Sequence, residues 1–287
     1  MRFEDFGLHS RQVLQPPFLG GQVHLTSAIS DGVVLTHQFS FGAGSQDPVT
    51  DTGYVSSLHV SGKKTGMALL VSKKGFLGKV ARNMSSWLSV KATAQNLMKE
   101  ASPFSLEADT SFSGVSASAQ VSHDLSSAFS LSLHPNPAFA IGAHIMSSQG
   151  HHATSIGTEF SIGKCPCNYS IDHDPSIPLT KPRLITTIKT SPSRHVMVSS
   201  TLNVSDSLAV ATEAAVPLSR SLESTLAVGY RYVAPLSGIE VRGKYEDGSV
   251  SASAEGSVIP GVKLGVGVLS NLRHSSTLTG VSLSVGE

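Results

Sequence analysis

The chain has 287 residues, a formal net charge of +1 and only 14% charged residues. A soluble domain carries roughly 25%, so an ordinary solvated surface is disfavoured, and the near-neutral charge excludes the basic field that nucleic-acid binding requires. The longest apolar run, Met67–Val71, has five residues, far below the ~20 that a membrane helix needs. These properties fit a transmembrane β-barrel, whose strands alternate lipid-facing and lumen-facing residues.

The first residues do not resemble a cleaved targeting sequence. Met1–Phe6 lacks the positive region and apolar core of a secretory signal. Glu4 and Asp5 are foreign to an arginine-rich, acid-poor matrix presequence. We therefore expect a barrel that is made in the cytosol and inserted into the outer membrane of a mitochondrion, a related organelle or a plastid.

Residues 2–14 are predicted to form one short amphipathic helix. Phe3, Phe6, Leu14 and the stem of Arg11 fall near one face at helical spacing. Two consecutive prolines follow and end the helix, because proline cannot continue the hydrogen-bond ladder. We expect this helix to lie in the lumen with its apolar side on the wall. The alternative is a helix that lies on the membrane surface.

From Gly20 onward the sequence consists of strand after strand, with apolar side chains at alternate positions and turn residues between the segments. The clearest segments are Gln22–Ile29, Val33–Phe41, Met197–Val204, Leu208–Ala214, Leu226–Tyr232, Ile239–Tyr245, Val262–Val268 and Val281–Val285. A hairpin turn is predicted at Asp247-Gly248 and another turn around Ser270-Asn271. The chain therefore divides into an N-terminal helical segment, 1–19, and a barrel, 20–287.

The pattern predicts an all-β fold, a transmembrane β-barrel of about 19 strands, with a range of about 18 to 20. The strand count is open at 73–98, where the alternation is blurred, and at 164–183, where four prolines indicate a loop. The soluble alternative is a large β-sandwich, which needs a charged exterior. Here the polar face is mostly Ser, Thr, Gly and Ala, which favours the membrane barrel.

No motif for catalysis occurs, neither a nucleophile elbow nor a phosphate-binding loop. Cys165 and Cys167 are one residue apart, a poor geometry for a disulfide, so we interpret them as free thiols. His151 and His152 would point to opposite faces of a strand and are unsuited to bind one metal. We expect no catalytic residue, no metal and no cofactor.

Charged residues cluster on the strand faces opposite the apolar residues. A charge that faces the bilayer midplane costs about 2–4 kcal/mol, so these side chains are predicted to face a water-filled lumen, where rings of charge set ion preference. The alternative is that each of these charged residues is an ordinary solvated residue with no role in conduction. The pore-lining candidates are His24, Arg231, Glu240, Arg242, Lys244 and Lys263.

Several short patches resemble the eukaryotic organellar porin superfamily. Four of them are similar to the channel subunit of the mitochondrial outer-membrane protein translocase: Phe3 to Gly20, Thr36 to Gly42, Asn136-Pro137, and Ser270 to Gly286. Pro260 to Leu264 instead resembles a segment of the voltage-dependent anion channels, the other branch. The resemblance implies a 19-stranded barrel with a lumenal N-terminal helix, whose first and last strands pair in parallel.

The end of the chain also resembles the sorting signal that the barrel-insertion machinery reads. Gly280, Leu283 and Val285 fit its glycine and hydrophobic places, whereas its polar place falls on Leu278. The match is therefore incomplete, and we expect the three fitting residues to form the signal.

The resemblance implies a protein-conducting channel that passes unfolded precursor proteins through the lumen. The implied partners are precursors in transit, receptor and small single-helix translocase subunits, the barrel-insertion machinery, membrane lipid and further copies of the chain within a complex, with no nucleic acid. The alternative is a voltage-dependent anion and metabolite channel of the same membrane, in which Arg231, Arg242 and Lys263 would favour anionic metabolites. A third possibility is an enzyme or soluble β protein.

Overall fold

A computed structural model shows 19 strands in one closed sheet and a short helical segment at the N-terminus. The all-β class and the strand number agree with the prediction. The structure describes residues 3–17, 19–41, 53–62, 64–72, 75–97, 104–124, 126–136, 138–148, 151–164, 182–190, 195–218 and 224–286.

The strands range from 7 residues in the shortest to 14 in the longest, lengths that suit tilted strands crossing a bilayer. In chain order they are β1 (Gly20–Ser30), β2 (Val33–Phe41), β3 (Tyr54–Ser61), β4 (Thr65–Ser72), β5 (Gly75–Asn83), β6 (Leu88–Leu97), β7 (Phe104–Phe112), β8 (Val115–Ser122), β9 (Ser127–Asn136), β10 (Phe139–Ser148), β11 (His151–Lys164), β12 (Pro182–Thr190), β13 (His195–Asn203), β14 (Leu208–Pro217), β15 (Thr225–Val233), β16 (Glu240–Glu246), β17 (Ser249–Ile259), β18 (Val262–Asn271) and β19 (Ser276–Val285).

A parallel seam closes the barrel. β1 pairs with β19 in parallel, with Gly20 opposite Gly280 and Leu25 opposite Val285. Every other neighbouring pair is antiparallel and consecutive in the chain. An odd number of strands in such a meander can close only by one parallel pair, so the sheet has no free edge. This topology confirms what the family resemblance implied.

The two faces of the sheet differ in charge. Alternate residues of each strand share a face, and the register carries the same face around the barrel. The outer face bears large apolar side chains such as Val266 and Val281, which are 51% and 52% exposed. Among strand residues whose side chains the structure describes, every aspartate, glutamate and lysine lies on the inner face, and Arg82, at the end of β5, lies on the outer face. The outer face therefore fits a hydrocarbon environment.

Aromatic side chains on the outer face gather near the two ends of the barrel. Near the end at which β1 begins, they are Phe39, Tyr54, Phe76, Phe104 and Tyr245. Near the opposite end, they are Phe112, Phe139, Phe160 and Tyr232. Two such girdles are typical of membrane barrels, because aromatic rings favour the interface between hydrocarbon and water.

Most predicted strand segments are confirmed, Val33–Phe41 to the residue. The blurred segment 73–98 contains β5 and β6. β11 ends at Lys164 and β12 begins at Pro182, and residues 165–181, with Cys165 and Cys167, lie outside the described residues.

The turn predicted around Ser270-Asn271 is slightly offset. Ser270 and Asn271 are the last residues of β18, and the turn itself follows them. The Oδ1 atom of Asn271 accepts hydrogen bonds from the backbone N–H groups of Arg273 at 3.0 Å and His274 at 3.1 Å. Asparagine thus stabilises the turn from the position before it, which explains the misplaced prediction.

The predicted helix over residues 2–14 is in fact interrupted. A 3-10 turn covers Phe3–Asp5 and the helix α1 covers Leu8–Val13. Gly7 separates them, with a left-handed φ of 77° that glycine adopts without steric cost. Among the described residues, no helix has the length and apolar character to span a membrane.

Candidate functional site in the barrel lumen

The first part of the N-terminal segment packs on the inner wall through two phenylalanines. Phe3 and Phe6 form a buried cluster with Ala140 of β10, and Phe6 is fully buried. A Cβ atom at Gly142 would lie 2.8 Å from Cδ2 of Phe3, so any larger residue at this position would clash with the Phe3 ring. The Phe3 ring also stacks on His144, with 6.0 Å between centroids. These contacts confirm the predicted lumenal position.

The second part packs one quarter of the barrel further on. Val13 and Leu14 are buried against Ala211 of β14 and Ala227 of β15. A Cβ atom at Gly229 would lie 2.9 Å from Cδ2 of Leu14. Small residues on the inner face of the sheet thus leave room for the helix to pack closely against the wall. This surface of small residues was not predicted, although alanine and glycine at alternate positions of β14 and β15 are a usable signal.

A buried carboxylate holds the point where the segment bends. The backbone N–H of Gly7 donates to Oε2 of Glu159 at 3.0 Å, and the hydroxyl of Thr187 donates to the same oxygen at 2.8 Å. Glu159 is only 5% exposed. A charge-assisted bond at such a site is stronger than a neutral one, so Glu159 anchors the N-terminal segment to β11.

The carbonyl group of the same peptide unit faces two cations. Nζ of Lys189 donates to the oxygen of Phe6 at 3.3 Å, and Nη2 of Arg11 donates to it at 3.0 Å. The Arg11 side chain is exposed, so the prediction that its stem joins the apolar face is wrong. It instead folds back to the backbone, because the carbonyl before the left-handed glycine lacks a helical donor.

All the sequence-predicted pore-lining candidates lie on the inner face. The register with their cross-strand partners places them there, and they are His24, Arg231, Glu240, Arg242, Lys244 and Lys263. His24 lies at the seam, whereas the others follow one another on β15, β16 and β18. That they line a conducting pore stays a prediction.

Three of the four permanently charged cations of this group contact a carboxylate. Arg231 donates to both oxygens of Glu240, at 2.8 and 2.9 Å, in a bidentate pair. Arg242 also contacts Glu240 and reaches Gln15, just beyond α1. Lys244 pairs with Glu246 at 2.6 Å. The wall beside the helix therefore carries charges of both signs, and one carboxylate, that of Glu240, is shared by two arginines.

A second charged cluster lies across the lumen and was missed. Nζ of Lys91 on β6 lies 3.1 Å from Glu107 and 2.8 Å from Asp109, both on β7. A signal is present in the sequence, since Lys91 stands between Val90 and Ala92, but the alternation over 73–98 is otherwise blurred. Here too a cation and carboxylates compensate one another.

The residues of the predicted insertion signal divide between the two faces. Gly280 lies on the inner face opposite Gly267, whereas Leu283 and Val285 lie on the outer face. Their reading by an insertion machinery stays a prediction. The inner face of β19 consists otherwise of short polar side chains such as Ser282 and Ser284.

The chain can be compared with known proteins. A triple mutant of the Rhodopseudomonas blastica porin is similar to it with a TM-score of 0.47 and 10% identity, over 81% of this chain and 89% of that chain. No curated protein matches it. The model of the family described as "Eukaryotic porin" matches residues 1–278. Because that match covers nearly the whole chain and the strands close into a barrel, the chain belongs to the eukaryotic porin family and is a β-barrel channel of an outer membrane.

Proposed function

We propose that the chain is the protein-conducting channel of the mitochondrial outer membrane and passes unfolded precursor proteins through its lumen. The observation that supports this most is the pairing of cations with carboxylates on the inner wall. Arg231 and Arg242 share Glu240, and Lys244 pairs with Glu246. An anion channel is favoured by cations that act on the passing solute. Cations paired with carboxylates attract small anions less strongly than unpaired cations do.

The uncharged part of the wall supports the same proposal. Many inner positions carry short hydroxyl side chains that are only partly buried, among them Thr26, Thr36, Ser57, Thr93, Ser253, Ser282 and Ser284. An unfolded precursor presents basic, acidic and apolar side chains in turn. A wall of hydroxyls and paired charges binds each kind weakly, and passage requires that a solute leave as easily as it enters.

The location and the partners belong to this proposal as well. Receptor subunits and small single-helix subunits would pack on the outer face, surrounded by membrane lipid, and further copies of the chain would join the complex. The barrel-insertion machinery would read Gly280, Leu283 and Val285. The short patches that resemble the translocase channel support these assignments.

An arrested precursor tests the proposal directly. A precursor fused to a tightly folded, ligand-stabilised domain would be stalled in isolated mitochondria that carry a photo-crosslinking residue at Thr93, on the inner face of β6, or at Ala92, on its outer face. We expect crosslinks to the precursor from position 93 and none from position 92, and only while the precursor is stalled. Absence of precursor crosslinks from position 93, with the barrel shown to conduct ions, would contradict the proposal.

The anion and metabolite channel is the alternative, since it shares the family and the lumenal helix. Reversal potentials of the purified barrel in planar bilayers separate the two functions. We expect a weak ion preference from the paired charges. A strong preference for anions would favour the alternative.

A further inference from the structure

One arginine departs from the distribution of charge over the two faces of the barrel. Arg82 lies on the outer face, opposite Thr65 of β4 and Val90 of β6. Among the strand residues whose side chains the structure describes, it is the only aspartate, glutamate, lysine or arginine on that face. It is the next-to-last residue of β5, so it lies near the end of the barrel, where its long side chain can reach the lipid headgroups.

This arginine is not neutralised by the protein around it. On the inner wall, Lys91 and Arg231 contact carboxylates at 2.8 Å. The exposed guanidinium of Arg82, by contrast, makes no hydrogen bond or ion pair with any residue that the structure describes. A guanidinium carries five N–H donors, and all of those of Arg82 are therefore open to an anion from outside the described part of the chain.

A second cation is fixed beside the first. Lys64 lies in the turn between β3 and β4, and its backbone carbonyl accepts the N–H of Asn83 at 2.8 Å. Its side chain is exposed and makes no ion pair with a described residue either. The next residue is Thr65, whose hydroxyl is a further donor on the outer face. Two positive charges and a hydroxyl thus gather at one point of the barrel rim.

The outer face becomes apolar directly beside this point, toward the middle of the bilayer. Val80, the next outer residue of β5, lies opposite Met67 of β4 and Ala92 of β6. The side chains of Val80 and Met67 are exposed. A phosphate dissolved in water would meet only the charges, whereas a phospholipid also lays its acyl chains on these residues. The combination therefore favours a lipid as the source of the anion.

The charges also distinguish between classes of phospholipid. A zwitterionic lipid carries a choline or ethanolamine cation next to its phosphate. That cation would approach Arg82 and Lys64, and no described carboxylate contacts either residue to receive it. An anionic lipid such as phosphatidylglycerol brings the phosphate without the second charge, and basic residues at the membrane surface attract it.

We propose that Arg82, Lys64 and Thr65 bind the phosphate of an anionic phospholipid, whose acyl chains lie on the outer face of β4, β5 and β6. Arginine suits this ligand because its planar group binds two phosphate oxygens through parallel N–H bonds. The inference rests on the membrane barrel alone and holds for either transported solute.

Tryptophan quenching by brominated lipids measures this binding at the site itself. Trp87 is the only tryptophan of the chain, so a Trp87→Phe barrel accepts a single reporter. Val80→Trp places the reporter next to Arg82, and Val198→Trp places it on the outer face of β13. Each barrel would be reconstituted in phosphatidylcholine with the same small fraction of brominated phosphatidylglycerol or brominated phosphatidylcholine. We expect phosphatidylglycerol to bind about three- to tenfold more tightly at position 80, and the two lipids to bind equally at position 198.

Substitutions on the two faces of β5 identify the charge responsible. Arg82→Gln should remove most of the preference at position 80, whereas Arg82→Lys should retain part of it because the charge remains. Lys79→Gln is the matched control, because it removes the same charge from the inner face of the same strand, and the preference should persist. Inorganic phosphate added to the buffer should also leave the preference unchanged.

Four results would overturn the inference. Equal quenching by the two lipids at position 80 would do so without any substitution of Arg82. The others are a preference that is unchanged in Arg82→Gln, a preference that is equally strong at position 198, and a preference that Lys79→Gln or inorganic phosphate abolishes. The arrested-precursor experiment does not depend on lipid binding, so the two proposals can fail separately.

Discussion

The carboxylate of Glu159 accepts the backbone N–H of Gly7 at 3.0 Å, across 152 positions of sequence. On the other side of the same peptide unit, Lys189 donates to the carbonyl of Phe6. The peptide unit between Phe6 and Gly7 thus donates a hydrogen bond to an anion through its N–H group and accepts one from a cation through its C=O group. The segment is therefore a fixed part of the inner wall, and its removal would require both contacts to break.

Substitution of Glu159 should loosen the N-terminal segment. In Glu159→Leu, Gly7 and Thr187 lose their acceptor, and we expect docking to weaken by about 1–3 kcal/mol, the cost of leaving such groups unpaired. Trypsin cleavage after the exposed Arg11 should then be faster in liposomes. Glu255→Leu, on the inner face of β17, serves as the control. Equal cleavage rates in the two variants would show that Glu159 is not the anchor.

The glycine under Phe3 should tolerate no methyl group. A Cβ atom at Gly142 would also lie 3.0 Å from the backbone oxygen of Leu131, so neither neighbour can yield easily. We expect Gly142→Ala to destabilise the barrel by about 1–3 kcal/mol through overpacking. Gly66→Ala is the matched control, because the nearest atom there is 4.0 Å away. Urea unfolding in detergent micelles measures both, and similar midpoints would contradict the prediction.

Removal of the shared carboxylate should expose two guanidinium groups. In Glu240→Gln, Arg231 and Arg242 lose their charged partner. We expect the permeability ratio of anions to cations to rise about twofold, because the loss of one negative charge changes the electrostatic energy of a nearby ion by an amount of order RT. Reversal potentials in a salt gradient measure the ratio. Glu246→Gln, at the end of β16, should change it less because bulk ions screen the mouth. An unchanged ratio in Glu240→Gln would mean that these arginines do not face the ion path.

A charge on the outer face should prevent insertion, whereas one on the inner face should not. Val266→Lys places an ammonium in mid-bilayer, at a cost of about 2–4 kcal/mol. Ser282→Lys, on the inner face of the adjacent β19, places it in water. We expect the first variant to fold poorly into liposomes and the second to fold like the wild type. Equal folding yields would argue against the assignment of faces.

Alternation alone located most of the barrel, and the reason is visible in β15. Arg231 stands between Tyr230 and Tyr232. A charged residue between two aromatic ones indicates which residues of the strand face the lumen and which face the lipid. In β11 the outer face carries Thr158, and the contrast between faces is weak. The inner position of Glu159 was therefore missed.

The contacts of the N-terminal segment lay beyond the reach of the sequence. Alternation tells which face a residue occupies, but not which strand lies across the lumen from the segment. The pairing of Gly7 with Glu159 depends on the closure of all the strands into one ring.

The central claim is that lipid contacts the outside of this sheet and water fills its inside. Neighbouring residues of β19 test it most directly, in a barrel whose Cys165 and Cys167 are replaced by serine. A single cysteine at Ser282, in liposomes, should react with a charged, water-soluble thiol reagent, and one at Val281 should not. A fluorophore at position 281, and not at 282, should be quenched by brominated lipid. Equal reactivity and equal quenching at the two positions would contradict the account.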